Sequence, residues 1–566
     1  MDPSNGKLVR TAVLGAAFLL LGVAAGAHAA SWEYTRKNVI DPINTALHRH
    51  LPRAIQARDL DAVLEFYATD TGTGLRWEDA KEVYPGREEE MLRSEPPGGP
   101  EPIRERYGKL LELLVAVERA EGRVHRVYWT EADETGTPAE LRLLVRGRRA
   151  DGARVQVDQY AKVRIVEHDG HWQIVSEEVT KRELVARKEP RFENATEAAG
   201  IANVHTNETS PPFRLIGGTA ASSGAAVGDV DGDGCEDVFL SGSPDAALYR
   251  NRCDGTFEDV TTEAGLPRPY PAAATGSVFF DYDNDGDPDL YVSAIRGGDR
   301  LFRNEGKGRF EDVTKAAKIP AGRWASMPAV ADYDRDGHLD VYVIRMGDHE
   351  TTAPEPNYDA WNGLPNTLLR NRGDGTFEDV TERAGLGDMG WGLAGAWSDY
   401  DDDGWPDVLV GNEFGVSCLY RNKGDGTFEE VGKQAGTADR AATMGVTWGD
   451  YDNDGDLDLF LSNMYANSRW ALFHPDFPAP IPWPYRLLSW LTPEVRRRSD
   501  EIVDHLTRGS TLLRNDGGKF TDVSDEAGVR DAQWGWATEF IDYDNDGRLD
   551  LYAQNGFITG ELPDDV

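Results

Sequence analysis

Between Arg154 and Val166 the chain alternates. Val155, Val157, Ala161, Val163 and Ile165 fall on one side, and Gln156, Asp158, Tyr160, Lys162 and Arg164 on the other. A period of two predicts a strand with one buried face. Similar runs predict strands over Arg123–Trp129, Ala139–Gly147 and Trp172–Val179, with Asp151-Gly152 and Asp169-Gly170 as hairpin turns. Upstream the period lengthens. Leu51, Ala54, Ile55, Leu60, Val63, Leu64, Phe66 and Tyr67 predict helix within Leu47–Tyr67, and Leu110, Leu111, Leu113, Leu114 and Val117 predict a second over Ile103–Ala120. Pro85–Pro102, rich in Gly, Pro and Glu, reads as a loop.

After residue 184 a different pattern takes over and repeats. One unit runs through a Gly/Ala-rich strand such as "GLAGAWSDY", an Asp loop, then "DVLVGN", "CLYRN", a "GDGTF" turn and "FEEVG". The first aspartates of successive loops lie 52, 51, 67, 51 and 92 residues apart, a period of 51 with two insertions. Four short strands per unit at this period predict propeller blades. The insertions fall near Gly347–Asn366 and at Asn467–Ser510.

Each loop carries Asp at positions 1, 3, 5 and 9 and Gly at position 6. The aspartates are Asp229, Asp231, Asp233 and Asp237; Asp281, Asp283, Asp285 and Asp289; Asp332, Asp334, Asp336 and Asp340; Asp399, Asp401, Asp403 and Asp407; Asp450, Asp452, Asp454 and Asp458; Asp542, Asp544, Asp546 and Asp550. Ca²⁺ takes six to eight oxygens at about 2.3–2.6 Å, and an EF-hand loop supplies them from positions 1, 3, 5 and 7 with Gly at 6. The ninth-position Asp replaces the distant Glu of that loop. The competing reading is a set of metal-free Asp-Gly turns. A turn needs one or two such residues, however, and four crowded carboxylates repel one another without a cation. Six Ca²⁺ are therefore expected.

The net charge of −39 opposes nucleic acid binding, which needs clustered Lys and Arg. Loop aspartates are 24 of the 99 acidic residues, so the chain stays acidic with every loop filled and would attract a basic partner. Residues 1–29 read as a signal peptide: Lys7 and Arg10, the apolar run Thr11–Ala27, and a cleavage site at Ala27-His28-Ala29. An uncleaved anchor is the alternative. No later stretch reads as a span, and the destination is secreted, periplasmic or cell surface. Export makes a disulfide plausible. A turn centred on Pro244 sets residues whose numbers sum to 488 opposite each other, Cys235 and Cys253 among them. Cys418 is left as a free thiol.

The repeats, with their "LYRNxGDGTFEDVT" strings, resemble the FG-GAP (VCBS) repeats of integrin-like propellers. With the closing "NGFITGELPDD", Asn555–Asp565, they resemble more narrowly the cartilage acidic protein group. That resemblance implies a mainly β propeller over 184–566, six-bladed by the count of its units, with Ca²⁺ in the Asp loops, export, and a role in extracellular interaction or adhesion. The chain stops at Val566, before the further C-terminal module of many members. Residues 41–183, helices followed by a meander ending in "HWQIVSEEV", resemble the NTF2-like α+β cone, a family of small isomerases, dehydratases, ligand binders and dimerising modules.

Several expectations follow. The sixth unit stops after Trp534–Ile541 and Leu549–Gln554, and "LVARKEPRFENAT", Leu184–Thr196, offers both missing strands. Six blades closed by that segment are expected; seven would need a sheet within Asn467–Ser510, against its prolines. The aromatics of that insertion, such as Trp470, Trp483 and Trp490, read either as a docking surface or as packing on the protein itself. In the cone, Tyr67, Trp77, Tyr107 and Trp129 read as core, and no catalytic constellation stands out. The function expected is a Ca²⁺-stabilised interaction scaffold binding a protein or glycan. The alternative is an enzyme, either in the cone or acting on polysaccharide at the propeller mouth.

Overall fold

A computed structural model describes Leu47 and residues 50–68, 72–74, 80–82, 90–94, 102–127, 135–168, 171–187, 195–201, 224–242, 246–348, 351–355, 359–463, 508–530 and 535–555. The signal peptide, Trp77, Trp129, Phe192, most of Asn467–Ser510 and the closing string after Asn555 lie outside these residues. The chain forms two compact units, divided between Glu193 and Asn194.

The first unit packs helices α1 (Leu51–Gln56), α2 (Leu60–Leu64) and α3 (Ile103–Leu113) on one mainly antiparallel sheet. Its strands are β1 (Gly72–Gly74), β2 (Ala80–Glu82), β3 (Glu90–Ser94), β4 (Ala116–Val127), β5 (Thr137–Arg148), β6 (Arg154–His168) and β7 (His171–Arg187). Their order is β2-β3-β7-β6-β5-β4, with β1 parallel to β7. The inward set of β6, from Val155 to Ile165, is buried under the helices as its alternation requires. Helices followed by a long antiparallel meander are the α+β order expected from the sequence.

The helix expected over Leu47–Tyr67 breaks at Arg58, whose φ is +57°. Asp59 then caps α2, its Oδ1 accepting from the Ala62 amide at 3.0 Å. Arg58 also donates to the carbonyls of Leu111 and Val115, both at 2.8 Å, and so closes α3. The chain after Leu114 enters the ladder beside β5, and the helix expected to reach Ala120 ends there.

Among its described residues the second unit contains five four-stranded antiparallel sheets and one two-stranded sheet. Blade 1 comprises Ala225–Gly228, Asp237–Leu240, Ala247–Asn251 and Phe257–Asp259; blade 2, Ala273–Phe280, Asp289–Arg296, Arg300–Asn304 and Phe310–Asp312. Blade 3 is Ala325–Ala331, Asp340–Arg345, Thr367–Asn371 and Phe377–Asp379; blade 4, Gly392–Ser398, Asp407–Asn412, Cys418–Asn422 and Phe428–Glu430. Blade 5 is Thr443–Gly449, Asp458–Asn463, Thr511–Asn515 and Phe520–Asp522; blade 6 holds Gly535–Ile541 and Asp550–Asn555 among the described residues.

First strands of consecutive blades pack side by side from blade 1 to blade 6. In blades 2 to 5 the second strands are buried on both faces because each lies between two neighbours. In blade 3, Tyr342 and Ile344 pack toward blade 4, while Val341 and Val343 pack toward blade 2. First strands come so close that a Cβ on Gly276 would lie 2.8 Å from the Met327 Cα, so only glycine fits there.

The closure through Leu184–Thr196 is corrected in part. Leu184 pairs with Val157 of β6 and Leu92 of β3, so "LVAR" belongs to the first unit. Its alternating pattern suits any strand, and the long β6 supplied the partner. The boundary expected at 183/184 therefore falls inside β7. The turn following "FENAT" does take a blade's place. The Phe257 amide donates to the Ala199 carbonyl at 2.7 Å, as Phe310 does to Ala264 at 2.7 Å and Phe377 to Ala317 at 2.9 Å.

Cys235 and Cys253 are bonded, and Cys418 is a buried free thiol. The ladder runs one residue off the expected register, with Leu240 opposite Ala247 and Val238 opposite Tyr249. The cysteines lie beyond it, one in the Asp loop and one in the turn after the third strand. Their Cα atoms are 5.7 Å apart, within the range for a disulfide.

Phe460, almost fully buried, joins blade 5 to Phe540 of blade 6. Phe460→Ala should cost about 3–5 kcal/mol in denaturant unfolding. A cost below about 1 kcal/mol would show that this interface is not the packed core described.

Candidate metal centres

The loop of blade 4, Asp399–Asp407, joins the first strand to the second. Positions 4 and 6 both turn left-handed, Asp402 with φ +54° and Gly404 with φ +87°. Asn284, Arg335, Asn453 and Asn545 take the same conformation at position 4, as does Gly232. Asn and Asp enter this region more readily than most residues, which accounts for their frequency there.

The loops are folded around their own amides. Asp399 Oδ2 accepts from the Gly404 amide at 2.8 Å, and Asp403 Oδ1 from the Trp405 amide at 3.0 Å. Asp229, Asp281, Asp332, Asp450 and Asp542 accept from position 6 in the same way, at 2.8–3.1 Å. Asp233, Asp285, Asp336, Asp454 and Asp546 each accept from the amide two residues on, at 2.9–3.0 Å.

What remains unbonded points to a cation. Asp399, Asp401 and Asp407 each bring an oxygen within 4.8 Å of the other two. Ligands 2.3–2.6 Å from one ion lie at most about 5 Å apart. Asp399 Oδ1, Asp401 Oδ1 and the fully buried Asp407 Oδ2 make no hydrogen bond. A buried anionic oxygen without a partner is costly, and a divalent cation removes the cost. The same closeness unites Asp229, Asp231 and Asp237; Asp281, Asp283 and Asp285; and Asp332, Asp334 and Asp336. Asp231, Asp283 and Asp334 each keep an unbonded Oδ1. In blades 3 and 4 an arginine neutralises part of the charge. Arg370 bonds Asp334 and Asp336, and Arg421 bonds Asp401 and Asp403.

The ninth-position aspartates do more than the closing of a shell assigned to them from sequence. Asp289 Oδ2 accepts from the Tyr282 amide at 3.0 Å and Oδ1 from the Asn304 amide at 2.7 Å. Asp237, Asp340 and Asp458 repeat both bonds. Burial raises their pKa: Asp289 and Asp407 to about 7, Asp340 to about 8 and Asp458 to about 6. Asp544 and Asp550 of blade 6 stand at positions 3 and 9 of a loop with the same backbone turn.

Two features escaped the sequence reading. One is the Asn ending each third strand, visible as a recurrent "RN" and treated there only as repeat texture. The other is a buried polar chain in the first unit. Tyr67 and Tyr107 hydroxyls meet at 2.7 Å, Arg106 bonds Glu177 at 2.8 Å, and Gln159 links Glu177 at 3.3 Å to Arg182 at 2.8 Å. Burial pushes both tyrosines well above their usual pKa. These residues lie far apart in sequence, so no local motif announces them.

Residues 229–292, 281–343, 359–410 and 399–461 match the family model of the FG-GAP-like repeat. Blades 1 to 4 and the first half of blade 5 thus carry FG-GAP-like repeats. Human Cartilage acidic protein 1 is 24% identical over 427 residues, covering 72% of this chain and 57% of that protein. The chain thus spans about half the length of the curated relatives it matches. Among solved structures, an Agrocybe aegerita lectin recognising non-reducing terminal N-acetylglucosamine aligns with TM-score 0.33 at 17% identity, over 59% of this chain and 74% of that one. An NTF2-like protein of unknown function from Shewanella baltica aligns with TM-score 0.15 at 15% identity, over 23% and 85%.

At the opposite end of these FG-GAP-like blades, between the second and third strands of blade 4, sits Glu413. Burial alone raises its pKa to about 7. The folded state thus binds its proton more tightly than the unfolded chain, whose Glu titrates near about 4.3. Stability is full below that value and falls as pH rises toward 7. Glu413→Gln should be more stable than wild type by a few kcal/mol at pH 8, with the gap closing toward pH 4.5. Melting curves across that range check it, and a constant difference would refute it.

Proposed function

We propose that this chain is an exported Ca²⁺-binding propeller that acts as an interaction scaffold outside the cytoplasm. The observation that carries the reading is the set of unbonded aspartate oxygens converging in the loops, above all Asp399, Asp401 and Asp407. Hard carboxylate ligands at this spacing select Ca²⁺, with one ion per loop and six in all. Weak sites, Kd about 10⁻⁴ to 10⁻³ M, suffice for extracellular modules.

Supporting the location are the Cys235–Cys253 bond, which suits an oxidising compartment, and the leader-like residues 1–29. Among the described residues no helix is long and apolar enough to cross a membrane. The likeness to Cartilage acidic protein 1 fits an extracellular propeller. A partner would be a protein or glycan, with basic groups favoured by the charge of −39. The enzyme alternative gains no support from the buried chain around Glu177, whose members bond one another.

Metal removal tests the reading. Excess chelator should lower the melting temperature, and Ca²⁺ should restore it, each site contributing about 2.7 kcal/mol at a hundredfold excess over Kd. Asp401→Asn should lower the ion count by one. An unchanged melt, with no metal in elemental analysis of dialysed protein, would end the proposal.

A further inference from the structure

In blades 2 to 5 the asparagine that ends the third strand touches two Asp loops at once. Asn422 donates its backbone amide to Asp407 Oδ1 of its own loop at 2.7 Å. Its side-chain Nδ2 crosses to the preceding blade and donates to the Tyr333 carbonyl at 2.8 Å. Tyr333 is position 2 of the blade 3 loop, between Asp332 and Asp334, and its amide donates to Asp340. The pattern repeats with Asn304 on Val230, Asn371 on Tyr282 and Asn515 on Tyr400, at 2.7–2.8 Å. All four asparagines are essentially fully buried.

These bonds form one buried series: ninth-position carboxylate, position-2 peptide, next asparagine, next carboxylate. From blade 1 to blade 5 it is broken at one step, where Asp407 Oδ2 has no hydrogen-bond partner. Every peptide in the series lies between two proposed ligands. Holding that peptide fixes the spacing of positions 1 and 3, and filling a loop orders the carboxylate that holds the next asparagine.

We infer that Asn304, Asn371, Asn422 and Asn515 are positioning residues that couple neighbouring Ca²⁺ loops, so that an ion in one blade strengthens binding in the blade before it. The inference rests on the Ca²⁺ reading above. Coupling of this kind is reciprocal between the two sites.

Terbium(III), an oxygen-seeking Ca²⁺ substitute that luminesces when a nearby indole is excited, provides the test in the full chain. Loop 4 carries Trp405 at position 7. The luminescence lost both in Trp405→Phe and in Asp401→Asn is its signal. Asn515→Ala, in blade 5, should raise the loop 4 terbium Kd roughly fivefold, the worth of one neutral hydrogen bond. Asp452→Asn alters an exposed ligand of loop 5 and leaves Asn515 in place. It should also weaken loop 4, an effect that a merely structural asparagine would not produce, and it decides the matter if Asn515→Ala fails to fold. Asn304→Ala, two links away, should move that Kd less than either. If wild type gives the loop 4 signal and both Asn515→Ala and Asp452→Asn leave its Kd unchanged, the coupling is overturned and the Ca²⁺ reading stands. A wild type with no loop 4 signal removes the Ca²⁺ reading, and the coupling with it.

Discussion

The ninth-position carboxylate is the constraint on which the propeller depends. In blades 2 to 5 it opens a second strand that is buried between neighbours on both sides, so the charge sits at the edge of a dry interior. Such a group must be matched or it unfolds its surroundings. In blades 1, 2, 3 and 5 the fold meets the requirement with two backbone amides, one from the loop and one from the third strand; in blade 4 Asp407 has only the second. Loop shape, strand pairing and the contact with the preceding blade therefore meet on one side chain. The pairing of position-2 tyrosines with fourth-strand phenylalanines, such as Tyr333 with Phe428 at 5.8 Å between ring centres, seals the same joint with apolar surface.

Much of this could be read in advance because repetition separates constraint from accident. Six copies of one spacing exposed the loop aspartates, the position-6 glycines and the four-strand period. The disulfide pairing was legible too, although through a register one residue out. The bond joins a loop to a turn beyond the ladder, where exact register matters less than proximity. Where no repeat existed, local pattern misled. Arg58 interrupts a helix that periodicity would continue, because its side chain is needed at the end of α3. "LVAR" resembles the "LYRN" strand that the sixth unit lacks, yet it continues β7, which pairs with β6 along its whole length. The buried chain around Glu177 had no sequence signature, since it is assembled by pairing of distant strands.

The two ends of the blades are built for different work. Asp loops lie at one end, with short turns that keep their length from blade to blade. Connections at the other end vary, and both insertions fall there. The described part of the first insertion packs inward: Ala360 bonds the Phe414 carbonyl at 2.7 Å, and Asn362 bonds the Trp391 indole at 2.9 Å. Trp361 beside them stays half exposed. Variation is thus concentrated at the end away from the Asp loops.

The way each loop wraps its own amides carries one more consequence. A segment that keeps its curvature through internal bonds has little shape left to gain from an ion. Ca²⁺ would then act on the lifetime of the arrangement instead of on its outline, lengthening the interval between local openings. Wherever a protease is present, that interval governs cleavage. Ion concentration would set how long the chain survives, while the surface it offers stays the same.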